Sequence, residues 1–195
     1  MKISAAILTG GKNSRMNGEF KALLDICGTK IIDKQLKILS SIFDDIFICG
    51  KDTGYQNNIP VFEDDFFDFG PISGIYSALK HSKTDYVFVV SCDMPFLNKD
   101  TIKEMIEYCS NNKDTQILIP EHKKGLEPLH ALYHKSMLPI IHNQINSGNL
   151  SIRKCFSISE TQKFIVNLQH NPTKSFFNVN NPEDLEKAKK LCIAN

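Results

Sequence analysis

The stretch YVFVVSCD, residues 86–93, constrains the fold most strongly, because it is apolar at nearly every position and ends in an acid. A strand with one solvated face alternates apolar and polar residues, whereas an unbroken apolar run is typical of a strand buried on both faces. Sheets buried on both faces are usually parallel and covered by helices. The stretch therefore predicts an α/β protein.

Strand-like runs and helix-like segments alternate along the rest of the chain, as they do in α/β sheets. We predict further strands at residues 3–8, 46–49, 61–62, 116–120, 129–133 and near 164–168. Apolar residues at helical spacing predict helices over 35–43, 72–79, 102–109, 136–147 and 150–156, and a last helix that Asn181 can cap. The expected architecture is a three-layer α/β/α sandwich around a mostly parallel mixed sheet.

Length, net charge and cysteine spacing limit the kinds of ligand and site that the chain can have. The 195 residues contain no long linker and read as one domain, and a net charge near +1 gives no reason to expect nucleic acid. The six cysteines are scattered without a C-x-x-C pair, so neither a zinc site nor a disulfide framework is predicted. No apolar run reaches 18 residues, so we expect no membrane segment and a cytoplasmic protein.

The loop after the first strand, within LTGGKNSRMNGEFKALL (8–24), predicts an anion site. Gly10 and Gly11 allow a sharp turn whose amide groups can approach a ligand, and Arg15 and Lys21 add two cations. The sequence matches neither G-x-x-x-x-G-K-[ST] nor G-x-G-x-x-G, which excludes the P-loop and the dinucleotide fingerprint. The alternative is an ordinary glycine turn with solvated cations.

Asp93 follows the apolar run directly, which places a carboxylate at the carboxyl end of a buried strand. Open α/β sheets bind ligands at that edge. One carboxylate together with phosphate oxygens can hold Mg²⁺, which prefers oxygen ligands and retains several waters. The alternative is a turn or helix-capping acid, and we favour the metal site because the neighbouring motifs point to the same edge of the sheet.

Several motifs occur in the order found in one enzyme family. The loop resembles the nucleotidyltransferase signature L-[AT]-G-G-x-S-x-R-M-G-x-x-x-K. FEDDFFDFGPISGI (62–75), SCDMPFL (91–97), EPLHALY (127–133) and FFNVNNPEDL (176–185) are similar to later blocks of the molybdenum cofactor guanylyltransferases, the MobA family. The resemblance spans residues 8–185 and implies a Rossmann-like nucleotide-diphospho-sugar transferase fold.

This resemblance implies roles for individual residues. Lys21, Asp64 and Asp93 would contact GTP, with Asp93 also binding Mg²⁺, and Arg15 would join Lys21 and Asp93 in catalysis. The remaining nucleotide-lining residues would be Leu8, Thr9, Gly10 and Gly11, and the acceptor-side residues would be Arg153, Asn178 and Asn180. Asn178 and Asn180 could instead shape the turn before the last helix, and Asp64 could equally be a turn acid within the run EDDFFDFG.

The implied reaction transfers GMP from GTP to the terminal phosphate of molybdopterin and releases pyrophosphate. Residues from about 1 to 110 would bind the nucleotide, and those from about 111 to 195 the acceptor. A molybdoenzyme or a cofactor-maturation protein would be a possible partner. Two alternatives stay open at this point: a cytidylyltransferase or sugar-phosphate nucleotidyltransferase, and a GTP-binding module without catalysis.

The sequence departs from the family pattern at three positions. Thr9 replaces the usual alanine, Cys49 lies where the family often has asparagine, and Glu127 replaces glutamine. A thiol cannot make the hydrogen bonds of an amide, so the resemblance does not extend to a nucleotide contact at position 49. His130, in the same block as Glu127, is as compatible with packing as with ligand binding.

Overall fold

The structure, a computed structural model, describes residues 1–10, 15–16, 18–55, 58–166 and 174–193. The strands are β1 (Ile3–Leu8), β2 (Arg15–Met16), β3 (Glu19–Phe20), β4 (Ile46–Cys49), β5 (Val61–Phe62), β6 (Tyr86–Ser91), β7 (Ile117–His122), β8 (Gly125–Leu126), β9 (His130–His134) and β10 (Thr161–Ile165). The α-helices are α1 (Ile31–Leu39), α2 (Pro71–His81), α3 (Lys99–Asn111), α4 (Met137–Asn146) and α5 (Pro182–Ile193), and two 3₁₀ helices span Lys21–Leu23 and Ile152–Ser157.

Eight strands form one mixed sheet in the order β10-β7-β9-β6-β1-β4-β5, with β8 paired to β7. β1 is parallel to both β6 and β4, β4 to β5, and β7 to β10, whereas β9 is antiparallel to both β6 and β7. β2 and β3 make a separate two-stranded hairpin. The predicted mostly parallel mixed sheet is confirmed.

Helices cover both faces of the sheet, as the unbroken apolar strands require. On one face, alternate residues of β1 and β6 pack with apolar side chains of α1 and α3. On the other face, the intervening strand residues pack with α2 and α4. Four consecutive residues of β6, from 87 to 90, are fully buried because both sides of the strand meet a helix layer. The three-layer prediction is therefore confirmed.

Most predicted elements lie where the periodicity placed them, but α1 does not. It begins at Ile31 and ends at Leu39, whereas the apolar spacing predicted residues 35–43. Ile31 and Ile32 are themselves buried, so the apolar stripe begins one turn earlier than the prediction assumed. Phe43 packs in the core from the turn that follows the helix.

The strand predicted near 164–168 is present, but it begins about three residues earlier in the chain. β10 spans Thr161–Ile165 because it pairs in register with β7, with Thr161 opposite Ile117. The sequence placed this strand near 164–168, and residues 167 and 168 lie outside the described residues. The short strands β2, β3 and β8 were not predicted, since none of them forms an apolar run, unlike β5 with Val61 and Phe62.

A third apolar cluster joins the C-terminal helix to the segment after the glycine loop. Leu24, Ile26 and Ile31 pack there with Val179 and with Ala188 of α5. The predicted cap of α5 is confirmed, because the Asp184 amide donates to Asn181 Oδ1 at 2.9 Å. No helix in the described ranges is both long enough and apolar enough to cross a lipid bilayer.

Candidate active site

Three strand ends meet at one edge of the sheet. Leu8 at the end of β1 lies opposite both Cys49, the end of β4, and Ser91, the end of β6. The residues that follow these strands are therefore neighbours in space although they are far apart in the sequence. This is the edge at which open α/β sheets bind ligands.

The buried ammonium group of Lys21 lies at this edge. Lys21 Nζ donates to Asn180 Oδ1 at 2.7 Å and lies 3.4 Å from Asp93 Oδ2. Its side chain is 4% exposed and that of Asp93 is 14% exposed. Water is largely excluded, so the attraction between the two charges is stronger than for a surface pair. Lys21, Asp93 and Asn180 are called the Lys21 cluster below.

Asp93 is held by its backbone as well as by its carboxylate. The Met94 amide donates to the Ser91 carbonyl at 3.3 Å, which closes a turn with Asp93 as its third residue. The Val179 amide donates to the Asp93 carbonyl at 2.9 Å. The Asp93 Oδ1 atom is buried and has no hydrogen-bond partner among the described residues. A buried carboxylate oxygen without a partner is unfavourable unless a ligand completes it.

The cleft at the Lys21 cluster has a volume of about 450 Å³ and both polar and apolar lining. Its polar lining includes the Lys21 cluster, Ser91 and Asp68. Its apolar lining includes Phe69, Leu129 and Leu150, and Gly10 also lies at the cleft. The structure thus brings Gly10, Lys21 and Asp93 together with Asn180, which the resemblance assigned to the acceptor side.

The chain segments that follow β1 and β4 come into close contact at Gly10 and Gly50. A Cβ atom at Gly10 would lie 2.4 Å from Asp64 Oδ2, and one at Gly50 would lie 2.4 Å from the Gly10 nitrogen. Gly50 also has a φ of +119°, which side-chain-bearing residues rarely adopt. The sequence reasoning missed Gly50, although a glycine directly after β4 was the available signal.

Asp64 lies beside Gly10 in a small pocket of about 100 Å³ lined also by Lys51 and Phe67. Its Oδ1 atom is buried without a hydrogen-bond partner in the described parts of the chain. Burial, and then the nearby Asp65 carboxylate, raise the pKa of Asp64 to about 6, against the opposing effect of Lys51. Asp64 is thus a second acceptor oriented toward the edge of the sheet and available to a ligand.

The Leu8 carbonyl and the Thr9 hydroxyl have hydrogen-bond partners within the protein. The Leu8 side chain is buried in the cluster under α2, and its carbonyl accepts from the Cys92 amide at 3.1 Å. The Thr9 hydroxyl lies 3.0 Å from the Lys51 carbonyl and 3.3 Å from that of Cys49. Nucleotide contacts by Leu8 and Thr9 stay predictions.

Cys49 and Glu127, the other two departures from the family pattern, and His130 lie in different surroundings. Cys49 is fully buried in the core under α2, and burial and then Asp64 raise the pKa of its thiol, which keeps it protonated. Glu127 Oε1 lies 2.9 Å from His122 Nε2. His130 is buried edge-on against Phe88 and Phe176, and burial followed by the nearby His122 lowers the pKa of His130 to about 3. His130 is therefore a neutral, packed histidine.

The remaining predicted residues are only partly located. Gly11 lies outside the described residues, and for Arg15 the structure describes only the backbone, which pairs with Phe20. The exposed Arg153 guanidinium donates to the Leu126 carbonyl at 3.4 Å. The side-chain nitrogen Nδ2 of Asn178 donates to the Phe176 carbonyl at 3.4 Å. Neither Arg153 nor Asn178 lines the cleft.

Known proteins share both sequence and fold with this chain. A family model described as "MobA-like NTP transferase domain" matches residues 5–162. A probable molybdenum cofactor guanylyltransferase from Clostridium perfringens is 41% identical and covers 98% of this chain and 100% of its own.

Two solved structures are similar to the whole chain. Molybdopterin-guanine dinucleotide biosynthesis protein A from Archaeoglobus fulgidus superposes with a TM-score of 0.83 at 25% identity, covering 98% of this chain and 100% of its own. The 4-diphosphocytidyl-2C-methyl-D-erythritol synthase of Anaerococcus prevotii has a TM-score of 0.73 at 13% identity, covering 98% and 96%. The second likeness concerns the fold alone.

Proposed function

Since the chain belongs to the MobA-like NTP transferase family, we propose that it is a molybdenum cofactor guanylyltransferase. It transfers GMP from GTP to the terminal phosphate of molybdopterin and releases pyrophosphate. A relative at 41% identity over its full length carries that name. The observation that carries the proposal is the Lys21 cluster, which lies at the ligand edge of the sheet. It combines a buried ammonium with a carboxylate oxygen that has no hydrogen-bond partner among the described residues.

The transfer needs alignment and charge neutralisation rather than a covalent enzyme intermediate. An oxygen of the acceptor phosphate bonds to the α-phosphorus, and the bond from that phosphorus to the pyrophosphate oxygen breaks. A phosphate is already ionised at neutral pH, so no general base is required. This agrees with a cluster composed of a lysine, an aspartate and an amide.

Lys21 supports this reaction by its fixed charge. Asn180 and Asp93 hold the ammonium group in place, so no reorganisation is needed when negative charge develops on the leaving pyrophosphate. Gly10, with Gly11 and Arg15, would add backbone and guanidinium donors to the same phosphates. The roles of Gly11 and Arg15 depend on the sequence motif alone.

Family members generally work with a divalent metal, and we propose Mg²⁺ for this chain. The Asp93 Oδ1 atom, which has no hydrogen-bond partner in the described ranges, fits a hard cation, because Mg²⁺ prefers carboxylate oxygens completed by phosphate and water. Asp93 would hold the ion, which, when bound, neutralises charge on the reacting phosphates. Among the described residues no group of three or more potential metal ligands exists, which suits an ion bound mainly through nucleotide.

We place the guanine near Asp64. Guanine presents N–H donors at N1 and N2, and Asp64 offers a buried acceptor oxygen without a partner in the described chain. Gly10 allows this carboxylate to lie close to the glycine loop, because a Cβ atom at position 10 would be only 2.4 Å from Asp64 Oδ2. Cytosine presents an N4 donor instead, so the acceptor alone does not decide the base.

The acceptor side is proposed from the second part of the chain, from about 111 to 195. Asn180 reaches the cleft, and Leu129 and Leu150 add apolar surface there. Asn178 and Arg153 stay predictions for acceptor contact, as does a molybdoenzyme or maturation protein as partner. A cytoplasmic location is likewise proposed, in keeping with six cysteines that are all free thiols.

Replacement of one carboxylate tests the proposal. Asp93→Asn should lower pyrophosphate release and guanylylated-pterin formation at least about 100-fold, because the amide neither binds the cation nor balances Lys21. Asp100→Asn, at an exposed acid in the first turn of α3, is the matched control and should keep wild-type rates. Near-normal turnover by a folded Asp93→Asn protein would overturn the assignment.

A further inference from the structure

Gln35 connects helix α1 to the turn that carries Asp93. Its side-chain nitrogen Nε2 donates to the Ser91 carbonyl at 2.7 Å and to the Met94 carbonyl at 2.9 Å. These carbonyls belong to the first and fourth residues of the turn in which Asp93 is third. One amide group therefore holds both ends of this turn.

Gln35 lies on the buried face of α1. Gln35 is completely buried, and Ile31, Ile32 and Leu39 of the same helix are also fully buried. The opposite orientation of the amide would place its oxygen against two carbonyl oxygens, so the contacts fix which atom faces the turn. The Val179 amide holds the Asp93 carbonyl from the other side. Asp93 thus lies between two backbone restraints.

Glutamine is an unfavourable residue at this position if its purpose is packing. Its Oε1 atom is buried and has no hydrogen-bond partner in the described ranges. A buried polar atom without a partner destabilises the folded chain, and an apolar side chain of similar size would avoid that loss. The two donors on one nitrogen are what methionine or leucine could not supply.

We propose that Gln35 is a positioning residue for Asp93: it fixes the Ser91–Met94 turn so that the carboxylate meets Lys21 and the nucleotide-bound cation. The inference rests on the proposed role of Asp93 in transfer. Gln35 touches neither substrate nor reacting atoms and acts through the turn alone. Loss of a residue that orients a metal-binding carboxylate typically lowers activity about 10- to 100-fold.

The test uses Gln35→Met, which keeps the length of the side chain and removes both donors. The kcat for GMP transfer should fall about 10- to 100-fold while the KM for GTP stays close to wild type. Hydrogen exchange of the amides at 92–94, followed by mass spectrometry without substrate, should become about tenfold faster, while exchange in α3 stays unchanged.

The matched control is Tyr86→Phe at the opposite end of β6. It also removes a buried donor from a backbone carbonyl, because the Tyr86 hydroxyl lies 2.7 Å from the Thr115 carbonyl. Its kcat and its exchange at 92–94 should match wild type, even where its melting temperature falls. Equal losses of kcat in both variants would show a merely structural role and overturn the proposal.

Two further results separate the possible failures. If Gln35→Met does not fold, Gln35→Glu keeps the shape. Burial against two carbonyl oxygens keeps that carboxyl neutral, with one donor for the two carbonyls. A folded Gln35→Glu protein with wild-type kcat and wild-type exchange at 92–94 also overturns the proposal. If the wild-type chain makes no guanylylated product, the proposed function fails. Exchange at 92–94 then decides the role of Gln35 by itself, and unchanged exchange in Gln35→Met overturns it.

Discussion

At the scale of single residues, Lys21 is the side chain on which the site depends most. A buried ammonium is unfavourable unless it is paired and hydrogen-bonded, and Lys21 has both Asp93 and Asn180. An ammonium group has three donors, so an incoming triphosphate would add a phosphate oxygen to these two partners without moving the cation far. The lysine is therefore already removed from water in the folded protein, before the substrate binds.

Lys21→Met should retain the fold and lose turnover. Methionine has similar length and no charge, so we expect kcat/KM for GTP to fall about 100- to 1,000-fold. Lys37→Met, at an exposed position of α1, is the control and should behave as wild type. Steady-state pyrophosphate release measures both variants, and a Lys21→Met protein within fivefold of wild type would contradict the assigned role.

Asp64 predicts a pH dependence of stability. Its pKa is about 6 in the folded chain and about 4 when unfolded. Between these values the folded chain binds more protons, so the Asp64 contribution to the free energy of unfolding falls as pH rises from about 4 to about 6 and stays low above that. Asp64→Asn should thus stabilise the ligand-free protein by about 1–2 kcal/mol at pH 7 and not at pH 4.

The same substitution should weaken GTP binding about 10-fold or more, because the ionised acceptor for guanine is lost. Urea denaturation at several pH values and titration calorimetry with GTP provide the two measurements. Asp44→Asn, at an exposed acid, is the control for charge removal. A gain for Asp64→Asn that is equal at pH 4 and pH 7 would show that burial does not raise the pKa of this carboxyl.

The sequence made several of these residues predictable and left others hidden. Asp93 was predictable because it ends an apolar run, and Lys21 because it follows a glycine loop. The contact between Lys21 and Asn180 was not, since it joins residues 159 positions apart and depends on how α5 docks. Gln35 was hidden because a glutamine among apolar residues gives no sign of what its amide contacts.

At the scale of elements, the turn after β4 fixes how closely two strand ends approach. Gly50 has a positive φ, and a side chain there would meet the Gly10 backbone. Strand β4 itself was predicted from four apolar residues, and the crossing of its exit with that of β1 follows from the parallel pairing. The close approach at Gly10 could not be predicted, because periodicity locates strands and not the path of the loops between them.

Gly50→Ala should destabilise the protein by more than about 2 kcal/mol, since backbone strain and a backbone clash coincide. Gly148→Ala separates these effects, because Gly148 also has a positive φ but has nothing within 4 Å of an added Cβ. That control should cost about 1 kcal/mol. Chemical denaturation of both variants is the measurement, and equal losses would contradict the crowding at Gly10.

At the scale of the whole molecule, the strand order explains where the site is. β1, β4 and β6 are adjacent and parallel, so their carboxyl ends deliver Gly10, Gly50 and Asp93 to one edge. The antiparallel β9 begins at the same edge with His130 opposite Val90, which brings the second part of the chain to the cleft. The apolar cluster that includes Val179 and Ala188 then anchors α5, so that Asn180 reaches Lys21.

The most direct test of the central claim is incubation of the wild-type protein with molybdopterin, Mg²⁺ and either GTP, CTP or ATP. Pyrophosphate release and the mass of the pterin product are followed in parallel. We expect guanylylated pterin with GTP and no comparable product with CTP or ATP. Product from CTP alone would contradict the guanine assignment, and GTP binding without any pyrophosphate release would contradict the transferase itself.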